Sequence, residues 1–206
     1  LMTQLDIWDW KNCKVAIRSL RGRLGFPNAN ELSFLGFRLQ LADGHIFDKL
    51  EDDYFSGNPR GIYFLLAGYA NSQEIPETSE LTSFAQLRGG RAFQRAFMER
   101  AMQPIAKNLG SDCSALRAAG RFLKGQELSY GDCSICIHSF PLIPVTIILW
   151  TKTSEFPAKA NILFNSSASN YLSTEELAGL GQLTSSRIIA AAKYLNEGEK
   201  DRTATD

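Results

Sequence analysis

Residues 145–150, "VTIILW", restrict the fold more than any other stretch of this chain. Neighbouring side chains of a strand point to opposite faces, and here both faces are apolar. Such a strand has to be covered on both sides, which places it in the middle of a sheet. Residues 132–140 and 160–165 have the same extended character and read as two further strands. Pro141 and Pro144 break the first strand from the second, and Pro157 sits in the loop before the third. Segments of helical period precede and follow this group. Runs of one element type, rather than strict alternation, predict an α+β fold: a mostly antiparallel central sheet packed by several helices, in a single domain.

The first part of the chain is mixed. Within residues 6–24, Trp8, Val15, Ile17, Leu20 and Leu24 recur at loosely helical spacing, and Gly22 and Gly25 end the pattern. Residues 31–41, "ELSFLGFRLQL", read as strand, with Phe37, Leu39 and Leu41 alternating with Arg38 and Gln40. Asp43-Gly44 is a hairpin signal, and the acidic stretch 48–53 leads to a loop. Asn58-Pro59 opens a helix running to about Tyr69, because Asn caps and Pro suits the first turn.

The middle is helical. A helix starting at Arg91 places Phe93, Phe97 and Ala101 on one stripe. Pro104 should kink it or start a new turn, and Gly110 should end it. Residues 111–124 form a second helix with Leu116, Ala119 and Leu123 inward. The last helix carries three agreeing start signals: Ser173 as cap, Glu176 completing a capping box, and Leu172 with Leu177 as a hydrophobic staple. The expected organisation is a helical segment 1–29 packed on an α+β domain 30–196, followed by a polar, disordered tail 197–206.

Composition excludes some classes of function. Lys plus Arg number 22 and Asp plus Glu number 22, so net charge supplies no reason to expect nucleic acid or an anionic membrane as partner. Arg88, Arg91, Arg95 and Arg100 do cluster, as basic residues often do on a helix surface. The longest apolar run, "PLIPVTIILW", falls short of the roughly 20 residues that span a bilayer. "LMTQLDIWDW" has no basic region followed by an apolar one, so no secretory signal is expected. The 4 cysteines do not make a disulfide scaffold in a chain of 206 residues. Reduced thiols in a cytoplasm are the simplest reading.

"DCSICIHSF" holds Cys133 and Cys136 as a C-x-x-C, with His138 beyond. A chelating or redox pair needs a tight turn or a helix start so that both sulfurs converge. In a strand, Cys133 shares a face with Ile135 and Ile137, while Cys136 shares the other with His138. The pair therefore reads as structural, with a Cys133, Cys136 and His138 metal site as the alternative.

Two other stretches are candidate binding loops. "LRGGR" places Gly89 and Gly90 before a helix, between Arg88 and Arg91. Helix-start amides with two guanidiniums could hold a phosphate or carboxylate; a plain turn between helices is the competing reading. "NSSASNY" gathers Asn165, Ser166, Ser167 and Tyr171 between a strand end and a capped helix, either as a ligand loop or as an ordinary connection. An enzyme would draw its acid–base groups from His138, Arg88 and Glu155, provided they converge.

"TSFAQLRGGRAFQRAF", "QPIAKNLG", "FPLIPVTIILW" and "EFPAKANILFNSSASNYLSTEELAGLG", in this order, resemble the prokaryotic family called domain of unknown function 3786. The resemblance covers roughly residues 30–195. It implies no assigned reaction. Relatives that pair the domain with a cysteine-rich iron–sulfur segment, and relatives from anaerobes, imply a setting in redox or one-carbon, corrinoid-linked metabolism. This chain shows no such cysteine-rich segment. The function expected is an accessory domain that binds a small molecule or a protein partner. The sequence names no cofactor, and a homo-oligomer is compatible with it.

Overall fold

The computed structural model describes residues 6–78 and 80–203. Residues 1–5 of the expected N-terminal segment and 204–206 of the expected tail lie outside the described residues. A short helix, α1 (Trp10–Arg18), leads to four strands: β1 (Glu31–Phe34), β2 (Phe37–Gln40), β3 (Ile46–Asp48) and β4 (Asp53–Tyr54). They form an antiparallel sheet in sequential order. Helix α2 (Arg60–Ala70) follows. After β5 (Leu81–Ser83) come α3 (Gly90–Phe97), α4 (Gln103–Leu109) and α5 (Ser114–Phe122). Then β6 (Gln126–Leu128), β7 (Cys133–Phe140), β8 (Ile143–Trp150) and β9 (Lys159–Asn165) complete a second antiparallel sheet, in the order β5-β9-β8-β7-β6. The chain ends in the long helix α6 (Thr174–Thr203).

Strand β8 is central, as its two apolar faces require, and every residue in it except Trp150 is buried. Helix α5 packs on β7, and Gly120 lets it come close: a Cβ there would meet the Ile135 side chain within 2.8 Å. Helix α4 packs on β8 and β9, and α6 packs against α2, α3, α4 and α5. The start of α6 is built as its sequence signals predict. The Ser173 backbone N–H donates to Glu176 Oε2 at 2.7 Å, the Glu176 N–H donates to Ser173 Oγ at 3.3 Å, and Leu172 and Leu177 are buried.

Several local expectations need correction. Residues 31–41 are two strands, because Leu35 and Gly36 form a tight hairpin turn with φ of 48° and 81°. Leu35 is unusual in that left-handed region, which costs a non-glycine residue about 1–2 kcal/mol. Its buried side chain and a hydrogen bond from Arg187 Nε to its carbonyl at 2.9 Å offset that cost. Phe93 is 65 % exposed, whereas Phe97 and Ala101 are buried. A π-helical turn, Met98–Met102, separates α3 from α4 just ahead of Pro104 and shifts the helical phase. Pro144 lies inside β8, opposite His138 and beside the bulge between His138 and Phe140, where a missing N–H does least harm. Helix α6 continues to Thr203, past Glu197 where the polar tail was expected to begin.

Candidate functional site

The Gly89-Gly90 turn meets the first turn of α6. Gly89 has φ of 77° and open space where a Cβ would be, so its backbone faces outward. Gly90 has no such room, because a Cβ there would collide with the Phe84 carbonyl oxygen. The Thr174 hydroxyl donates to the Arg88 carbonyl at 2.8 Å and ties the turn to α6.

Between these elements lies a cleft of about 580 Å³. Phe64 of α2, Phe84, Phe97 and Ala178 give it an apolar lining, and Arg88, Gly89 and Arg100 also border it. Both guanidiniums are exposed, and among the described residues no hydrogen bond or ion pair engages either of them. Glu175 adds one carboxylate to the border. An apolar lining with a few cations at the edge suits a molecule with an apolar body and an anionic group.

Of the glycine-turn candidates, Arg88 and Gly89 therefore line a cavity, Gly90 is buried behind them, and Arg91 points outward without bordering it. The Asn165 loop lies elsewhere, and its polar atoms are engaged within the fold. Asn165 Oδ1 accepts from the Thr78 hydroxyl at 2.7 Å and from the Ser167 N–H at 3.0 Å. Ser166 Oγ is 2.6 Å from the Thr78 hydroxyl. The Tyr171 hydroxyl donates to the Ile75 carbonyl at 2.7 Å and accepts from the Ile75 N–H at 3.0 Å. These residues staple the loop around Ile75 and Thr78 to the sheet.

The C-x-x-C behaves as strand geometry predicts. Cys133 is buried on one face and Cys136 is half-buried on the other. The reading of four reduced thiols needs correction, because Cys133 forms a disulfide with Cys113, just before α5, with 5.9 Å between their Cα atoms. Packing of α5 on β7 brings together two cysteines that stand apart in sequence. Cys136 and Cys13 remain free. Burial pushes the Cys136 thiol up, nearby Glu77 adds to this, and a hydrogen bond from Thr146 opposes it. A thiol shifted this way is a poor nucleophile and a poor metal ligand at neutral pH. Among the described residues, no group of three or more His, Cys, Asp or Glu side chains is arranged to hold a metal ion.

The acid–base candidates are dispersed. Arg88 borders the cleft, and His138 borders a different hollow beside Lys124. Glu155 lies in the turn before β9, where its N–H donates to Thr153 Oγ1 at 3.3 Å. The cleft and the hollow each hold one of the three, and Glu155 borders neither.

Arg187 was missed by sequence reasoning. It reaches from α6 to Asp48 of β3, and both side chains are buried. No local signal in "SSRIIA" marks an arginine as internal. Phe64 and Thr174 also went unnoticed as cleft residues, since each is an ordinary helix position until the helices meet.

A family model, Domain of unknown function (DUF3786), matches residues 30–187. The chain belongs to this family. No curated protein and no solved structure matches it. The DUF3786 match spans the Arg88 and Arg100 cleft, the Cys113–Cys133 disulfide and the Asp48–Arg187 pair.

Proposed function

We propose that this DUF3786 domain is a binding module whose cleft beside the start of α6 accepts a small molecule with an apolar body and a carboxylate or phosphate group. One observation carries the reading: two unpaired guanidiniums, Arg88 and Arg100, stand at the edge of an aromatic-lined cleft of about 580 Å³. That volume is within the roughly 300–1,000 Å³ range of small-molecule sites. Bidentate capture of an oxyanion by arginine, with the rest of the ligand against Phe84 and Phe97, would supply both affinity and orientation.

A thermal-shift and calorimetric screen with aliphatic and aromatic carboxylates, nucleotides and corrinoids tests the proposal. At least one class should raise the melting temperature of the wild-type chain, and the Arg88→Gln/Arg100→Gln variant should lose that response. A screen in which nothing shifts the wild type removes the basis of the reading. The exposed Phe93 on α3 supports a second reading, in which a protein partner inserts an apolar side chain at this cleft. Partner capture by the wild type that survives Phe93→Ser would eliminate it.

The setting in redox or one-carbon metabolism is part of the proposal and rests on the family likeness alone. No helix among the described residues is long and apolar enough to cross a membrane. A cytoplasmic location, expected from reduced thiols, is not carried into this proposal. The Cys113–Cys133 bond argues against it, because disulfides persist mainly in oxidising compartments.

A further inference from the structure

A second hollow, of about 280 Å³, opens where the β1–β2 hairpin meets the ends of α5 and β7. Four basic side chains from separate segments line it: Arg38 of β2, Lys49 after β3, Lys124 after α5 and His138 of β7. The lining holds no aspartate or glutamate. Among the described residues, no hydrogen bond or ion pair engages the charged ends of Arg38, Lys49 or Lys124. The Arg38 guanidinium is held 4.5 Å over the Phe47 ring, and its buried Nε has no acceptor. Glu77 lies 3.8 Å from His138 Nε2. Arg187 adds no net charge beneath the hairpin, because Asp48 pairs with it.

This is a concave concentration of positive charge on a chain whose net charge is zero. A hollow lined by one sign of charge focuses its field and concentrates counter-ions. One guanidinium suffices for a carboxylate. Three cations spread around a concavity match a doubly charged group with oxygens pointing several ways.

We propose that this hollow is a binding site for a soluble phosphomonoester, with Arg38, Lys49 and Lys124 contacting the phosphate oxygens. It is separate from the Arg88 cleft and does not depend on that cleft's function.

The test is a titration of the full chain with inorganic phosphate and with glycerol phosphate at constant ionic strength, followed by amide chemical shifts and calorimetry. Saturable shifts should centre on residues 33–38 and 122–124. Lys49→Gln/Lys124→Gln should weaken binding by at least about tenfold, since hydrogen bonds to charged groups are worth that much each. Both lysines are exposed, so the variant should keep the fold. Arg88→Gln/Arg100→Gln should bind phosphate as the wild type does. The proposal is overturned if the wild type shows no saturable shift, if acetate produces the same response, or if the lysine variant binds with unchanged affinity. It is equally overturned if only the Arg88→Gln/Arg100→Gln variant loses binding, because the phosphate would then occupy the cleft.

Discussion

Arg187 closes on Asp48 through two hydrogen bonds, 2.6 and 2.5 Å long, with the arginine side chain 7 % exposed and the aspartate 2 %. The guanidinium also lies 3.8 Å over the Phe37 ring, and its Nε donates to the Leu35 carbonyl. One side chain of α6 thus holds the β1–β2 turn, β2 and β3 at once. A buried ion pair is weak grounds for net stability, because two charges leave water to form it. Breaking it is another matter.

Arg187→Met should cost about 3–5 kcal/mol, because it leaves the Asp48 carboxylate buried and unpaired. Arg187→Met/Asp48→Leu should recover much of that loss. Urea unfolding of the two variants and the wild type checks this. A single variant as stable as the wild type would mean that the pair does not hold the sheet to α6.

The two adjacent glycines should respond differently to alanine. Gly89→Ala meets no atoms, but its left-handed backbone costs about 1–2 kcal/mol. Gly90→Ala drives a methyl group into the Phe84 carbonyl and should be worse, moving the turn and distorting the cleft. Melting temperatures rank the two, and the reverse order would show that the turn is built differently.

The disulfide makes a counting prediction. Alkylation of the unfolded, unreduced chain should label Cys13 and Cys136 alone, and labelling of all four cysteines would show that Cys113 and Cys133 are not bonded. Closing a loop of 20 residues should contribute about 3 kcal/mol, so Cys113→Ser/Cys133→Ala should unfold at lower urea, and reductant should bring the wild type toward it.

Stability should fall on the alkaline side. Burial raises the thiols of Cys13 and Cys136 and the phenols of Tyr63 and Tyr69. Each group keeps its proton in the folded chain at pH values where the unfolded chain releases it. Their contribution is therefore complete below about pH 8.5, the ordinary cysteine value, and is lost as pH climbs through the cysteine and then the tyrosine range near 10. Melting temperature measured from pH 7 to 11 should be level at first and then decline. A flat profile to pH 11 would contradict the burial of these groups.

The readable parts of this sequence are those where neighbours along the chain set the outcome. Residues 145–150 announce a central strand because both faces are apolar. Ser173 and Glu176 announce a helix start because their side chains serve each other's backbone. The opposite faces of Cys133 and Cys136 follow from strand pleat alone. The Leu35-Gly36 turn was hidden because a leucine in a left-handed conformation is locally unfavourable and is held there by Arg187. Phe93 misled because helical spacing puts it on the stripe of Phe97 but does not say how far along that stripe burial extends, and Phe93 stands at the open edge of the cleft.

The site divides the same way. The Gly89-Gly90 turn and its arginines could be singled out from composition, but which arginines stand over an apolar cleft depends on where α2 and α6 pass. The Asn165 loop has the chemistry of a binding loop, and only its contacts with Ile75 and Thr78 show that this chemistry is used internally.

By itself, then, the amino-acid order determined the element types, the central strand, the last helix's cap and the separation of the two C-x-x-C thiols, because each follows from backbone periodicity over a few residues. Tertiary structure alone decided that Cys113 bonds Cys133, that Arg187 is buried against Asp48, and that Arg38, Lys49 and Lys124 share one hollow. Those juxtapositions join segments far apart in the chain, and packing between α5, α6 and the two sheets is what brings them within reach.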